Sequence, residues 1–183
     1  MRSPLSSRDL AFSGLFGAAA LLLPVLFHLV HLGHVFMPMY LPLVTLAYFS
    51  RPLPAAVTAF VTPLLSAAVT GMPPFFPPVA LFMAIELSMM CGLIAALYDR
   101  WPKLNEWAVL VPTLMLGRGL YVGLVYLFST VIHLPAGFMA GVSFVSGWPG
   151  ILLMIAVVPG IARAGRRPRQ HIAMFEKGAG HES

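Results

Sequence analysis

The sequence predicts an all-α integral membrane protein, a compact bundle of about six transmembrane helices with both ends of the chain in the cytoplasm. Three observations predict it. Of 183 residues, 59% are hydrophobic and only 9% are charged, against roughly 25% charged in soluble domains, so there is too little polar material for a solvated surface. The apolar residues fall into runs close to the roughly 20 residues that cross a bilayer. Lysine and arginine gather in alternate connections between those runs, the asymmetry that orients spans in a membrane.

The first helix is expected over residues 10–30. Arg2 and Arg8 precede it, but its apolar stretch exceeds a signal-peptide core and no clear cleavage site follows, so it is read as a retained span. The second run, 35–49, is short and carries Pro38 and Pro42, which predicts an irregular start and a tilted or bent helix. The third is expected over 53–69, the fourth over 76–98 and the fifth over 107–132. The last apolar region, 136–161, is interrupted at Gly147, Trp148, Pro149 and Gly150. Proline suits the first turn of a helix, so the sixth span is expected from about Ser146, leaving 136–145 as a lid, a re-entrant piece or an extra turn. The division is thus a bundle over 1–163 and a basic, flexible cytoplasmic tail over 164–183.

With both ends inside, Arg2, Arg8, Arg51, Arg100, Lys103 and the tail cations Arg163, Arg166, Arg167, Arg169 and Lys177 all lie on the cytoplasmic side, and the three outer loops contain no Lys or Arg. The formal net charge of +5 therefore reads as a topology signal and an attraction to anionic headgroups of the lipid bilayer. Nothing beyond that charge points to nucleic acid, and none is expected as a partner. Cys91, the single cysteine, excludes an intramolecular disulfide and offers no Cys-based metal cluster.

Two charges stand inside apolar helices, Glu86 in the fourth and Arg118 in the fifth. A charge at the bilayer centre costs about 2.5–3.5 kcal/mol on insertion scales, so both should face the bundle interior. Either they pair with one another or they hold a ligand. Phe82, Met83, Met89 and Met90 share the neighbourhood of Glu86, and Tyr121 is one turn from Arg118. A few polar groups amid polarizable apolar walls suit a small organic ligand. His28, His31 and His34 recur at intervals of three, but with no acidic or thiol partner nearby no metal site is assigned; His28 and His31 are candidates for contact with a ligand. The outer loop Thr70-Gly71-Met72-Pro73-Pro74-Phe75-Phe76-Pro77-Pro78 is either a stiff rim to a pocket, with Phe75 against the ligand, or a tight turn. Trp148 is a further candidate from the last interruption. On the first helix Ala11, Gly14 and Ala18 share a face with small-xxx-small spacing, beside Ser13 and Gly17, which permits close approach of another helix, internal or from a partner.

No chemistry is encoded in any motif. The P-loop, HExxH and GxSxG sequences are all missing, and Glu86 has no acid or nucleophile beside it in sequence, so no enzymatic activity and no cofactor in this chain are expected.

A set of ordered pieces carries a family resemblance: Phe27-His28-Leu29 through Gly33, Phe36-Met37-Pro38-Met39-Tyr40-Leu41-Pro42, Thr62-Pro63-Leu64-Leu65-Ser66, Thr70-Gly71-Met72-Pro73-Pro74 and Met83-x-x-Glu86-Leu87. Over residues 8–163 the chain resembles the S-components of energy-coupling factor (ECF) transporters. The resemblance implies a compact six-helix subunit of a prokaryotic cytoplasmic (inner) membrane that binds a vitamin or micronutrient. It also implies docking, through small residues of the first helices, on a T-component driven by two ATPase subunits, so that ATP is hydrolysed by partners. Tyr40, taken as a ligand contact, stands where many relatives are expected to carry His, which leaves the cargo open. The rival readings are a self-sufficient secondary carrier or channel, against which stands the lack of an evident internal repeat, and a structural subunit of a membrane complex.

Overall fold

The computed structural model describes residues 6–29, 38–76, 78–132 and 149–165. Six helices occur among them: α1 (Ser7–Leu29), α2 (Tyr40–Ala47), α3 (Pro52–Thr70), α4 (Val79–Arg100), α5 (Glu106–Ile132) and α6 (Pro149–Gly165). The fold is all-α, and α1, α3, α4 and α5 are each long and apolar enough to cross a membrane. The chain is a multi-pass membrane protein.

Local chemistry sets the boundaries. Ser6 and Asp9 make half of a capping box, with the Ser6 N–H donating to Asp9 Oδ2 at 3.4 Å. Pro52 enters the first turn of α3, where its missing N–H leaves no bond unmade. Gly71 ends α3 in the left-handed conformation at φ 73°, its N–H donating to the Ala67 carbonyl at 3.0 Å. The Ser66 hydroxyl donates to the Met72 carbonyl at 2.8 Å and the Met72 N–H donates to Thr70 Oγ1 at 3.3 Å, so the proline-rich connection is tied to the helix it leaves. Asn105 caps α5 by accepting from the Trp107 N–H at 3.0 Å.

Two expected boundaries need correction. The fourth helix begins at Val79 and not at residue 76, because Pro78 stands at the N-cap in a non-helical conformation, where its missing donor leaves no helical bond unmade. The second helix is confined to Tyr40–Ala47, roughly 12 Å at 1.5 Å per residue, far short of a span. Every residue of α2 except Leu41 is buried. A short, mostly apolar helix buried in this way is covered by protein, where lipid does not set the length. Residues 133–148, with Trp148 and the 136–145 piece, lie outside the described residues, as do His31, His34 and the tail from 166 onward.

Helix α4 is central, packing on α3, α5 and α2. Its buried residues Phe82, Glu86, Leu87, Met90, Cys91 and Ile94 form a broad inward stripe. Helix α6 contributes Ile151, Met154, Val158 and Ala162 to the same core, one face at helical spacing. Helix α1 is peripheral: it touches α2 and α3, and almost none of its apolar stretch is buried inside the protein.

Contacts at one end of the bundle fix the directions of the helices. Arg51, at the start of α3, donates from Nε to Asp9 Oδ2 at 2.6 Å and from its backbone N–H to Asp9 Oδ1 at 3.3 Å. The Arg163 Nε near the end of α6 donates to Glu106 Oε2 at 3.1 Å at the start of α5. Phe49, just past α2, stacks on Phe12 and Phe16 of α1 with centroids 5.8 and 6.0 Å apart, and its ring lies so close to Gly165 that a Cβ there would overlap it. Tyr48 and Tyr98 pack their rings at 4.9 Å. The start of α1 and the end of α6 therefore lie at the same end of the bundle.

Candidate functional site

Three helices bring four polar side chains together in the core. Tyr40 opens α2, Glu86 lies mid-way along α4, and Arg118 and Tyr121 are one turn apart on α5. All four are buried, Glu86 completely at 0% exposure and Arg118 at 7%. The Tyr40 hydroxyl donates to Glu86 Oε2 at 2.5 Å. Arg118 Nε stands 3.5 Å from Glu86 Oε1, beyond the usual range of an N–H···O hydrogen bond and so a charge contact. Glu86 Oε1 accepts no hydrogen bond from the described residues.

The guanidinium lies over aromatic faces, its Cζ 5.0 Å from the Tyr40 ring centroid and 5.8 Å from that of Tyr121. In a desolvated place such cation–π contacts add to the carboxylate in holding the charge. Phe82 meets Tyr121 edge-on at 6.5 Å and Phe128 at 5.6 Å. Met83 is partly buried and packs against both this aromatic group and the main core. Glu86 and Arg118 thus do pair, and the pair is set among the Tyr, Phe and Met side chains that the helical spacing placed beside it.

Gly117 is the residue that sequence reasoning missed. A Cβ there would overlap Met90 Sδ and stand 2.7 Å from Met90 Cγ and 3.4 Å from Glu86 Cγ. Its lack of a side chain lets α5 approach α4 closely enough for Arg118 to reach Glu86. The available signal was a glycine on each side of an intramembrane arginine, Gly117 and Gly119; only the first is against another helix, since a Cβ at Gly119 would meet nothing within 4 Å.

The other candidates fall elsewhere. Phe75 lies in the α3–α4 connection, 55% exposed and apart from the buried cluster. His28 is in the last turn of α1, and His31 and Trp148 are outside the described residues. Ala11, Gly14 and Ala18 are exposed on the outer face of α1, and a Cβ on Gly14 would meet nothing within 4 Å. Gly17 faces inward instead, where a Cβ would touch Thr58 Cγ2 at 3.4 Å on α3. The small residues of α1 therefore serve two faces, one packed internally and one exposed among the described residues.

Comparison with protein-family models, with curated proteins and with solved structures gives no match. The functional reading rests on the chain's own residues.

Proposed function

We propose that this chain is the solute-binding subunit of an ECF-type importer in a prokaryotic cytoplasmic membrane, capturing a small vitamin-like solute from outside and docking on a T-component energised by two ATPase subunits. The observation that carries the reading is the buried Tyr40–Glu86–Arg118–Tyr121 cluster. Ionisable groups at this depth are expensive, and in membrane proteins they mark sites of function. The cluster offers a carboxylate, a guanidinium and phenols within apolar aromatic walls, the mixture that orients a small organic solute. The role proposed for it is binding.

Purified alone in detergent, the chain is expected to retain a small solute and to show no ATP hydrolysis. ATP turnover by the contaminant-free chain would end the proposal, and solute uptake by the chain alone in liposomes would favour a self-sufficient carrier. In this reading the end bearing Arg51, Arg100, Lys103 and Arg163 faces the cytoplasm. Cysteines placed at Ser3 or Ser183 in a Cys91→Ser background should then react with a membrane-impermeant maleimide only after the cells are permeabilised. Labelling of both in intact cells would reverse the orientation, and labelling of one alone would make the number of passes odd.

The outer face of α1 is the docking surface. Gly14→Leu and Ala18→Leu should abolish co-purification with the T-component while leaving the melting temperature and solute binding of the isolated chain unchanged, because both positions are exposed and Gly14 has open space around it. Undiminished co-purification of both variants would assign that face to lipid.

A further inference from the structure

The hydrogen bonds of Glu86 are incomplete in a way that specifies what would complete them. An ionised carboxylate has about four acceptor positions on two oxygens. Oε2 takes the Tyr40 hydroxyl, whereas Oε1 takes no hydrogen bond from the described residues and stands in a 3.5 Å charge contact with Arg118. At 0% exposure bulk water does not reach it. A buried acceptor without a donor is costly, and an unsatisfied oxygen on a buried charge calls for a specific explanation.

Charge narrows the class further. One carboxylate and one guanidinium in contact leave no net formal charge. A cation brought to Oε1 would also face Arg118, and an anion brought to Arg118 would face Glu86. At this depth either repulsion is weakly screened. An uncharged group carrying an N–H or O–H supplies the missing donor and opposes neither partner. The surrounding Tyr40, Phe82, Met83, Met90 and Tyr121 side chains favour a flat apolar body, which stacks on rings and packs on thioethers.

We infer that the solute taken up at this cluster is an uncharged, flat, hydrogen-bond-donating molecule whose N–H or O–H is received by Glu86 Oε1. The inference rests on the solute-binding reading above, and the test separates the two. The full chain, purified in mild detergent from its own membrane, is extracted and any stoichiometric retained solute is identified by mass spectrometry. The same preparation is melted with four probes built on one ring: benzamide, N,N-dimethylbenzamide, benzoate and benzyltrimethylammonium. The expected result is a retained solute without fixed charge that bears an N–H or O–H, and a melting temperature raised by benzamide above the level reached with the other three. A retained solute with fixed charge or no donor overturns the inference and leaves the binding reading standing, as does stabilisation by benzoate, the ammonium or the dimethyl amide equal to that by benzamide. Where none of the four probes acts, the charge and donors of the retained solute decide. No retained solute and no probe effect removes the binding reading itself, and this inference with it.

Discussion

Arg118→Met is expected to destabilise the protein by about 3–5 kcal/mol, the cost of leaving one member of a buried ion pair without its partner. Glu86 is completely buried and keeps only the Tyr40 hydroxyl once the guanidinium is gone. Methionine fills much of the arginine's volume, so the loss reports charge and not a cavity. Glu86→Gln on its own removes the carboxylate that faces Arg118, whose guanidinium lies over the rings of Tyr40 and Tyr121. It should weaken solute binding by about 1.5–3 kcal/mol if a hydrogen bond to a charged group is lost, a factor of roughly 10 to 150 in affinity. The double variant Glu86→Gln/Arg118→Met separates the roles of the pair. With both charges removed most of the stability should return, since buried pairs replaced together by uncharged side chains of similar volume are often neutral. Affinity for the retained solute should stay low in that variant if the cluster holds it. Thermal melts and isothermal titration of the four proteins read both quantities. Parent-like affinity in the double variant would show that Glu86 and Arg118 serve only each other.

Gly117→Leu is expected to have the other large effect, a destabilisation of about 3 kcal/mol or more, at the upper end of what overpacking costs. Even the first carbon of the new side chain would overlap Met90 Sδ, and Met90 is 1% exposed with the core around it. The gain from replacing glycine within a helix is about 1 kcal/mol at most, so the overlap decides the sign. The damage should reach the site, because α5 displaced from α4 carries Arg118 away from Glu86. Gly117→Ala should cost less and be partly rescued by Met90→Ala, which vacates the overlapped volume. Gly14→Leu is the matched control, the same exchange at a place where a Cβ meets nothing. The fraction of monodisperse protein and its melting temperature distinguish them. A Gly117→Leu protein as stable as the parent would mean that the α4–α5 contact is looser than described.

The long helices were legible because lipid imposes a length. A span must bury every backbone polar group in its own hydrogen bonds and show apolar side chains throughout, so α1, α3, α4 and α5 announce themselves by composition and punctuation alone. The rule weakens where protein replaces lipid. Helix α2 is enclosed by its neighbours, so nothing holds it to a bilayer's thickness, and its apolar run extended past the helix at both ends. Pro78 marked a connection, but Phe76 read as the start of the helix because apolar character alone does not separate a span from an exposed apolar loop.

Glu86 and Arg118 were visible as candidates for the same reason: an ionisable residue within an apolar run has almost no place except the bundle interior. Whether they meet depends on the rotation and separation of two helices about their axes, and no pattern within either helix contains that information. The inward position of Gly117, the arrival of Tyr40 from a helix 46 residues away in sequence and the turning of Gly17 inward while Gly14 faces out are all of this kind. The sequence by itself therefore determined the solvent, the all-α class of fold, the four long apolar helices and the charges that must lie inside. Tertiary structure decided which of those charges touch, which oxygen of Glu86 has no donor among the described residues and which small residues of α1 are exposed. Transfer from water to lipid acts on each residue separately and is summed along the chain, whereas contact depends on several helices at once.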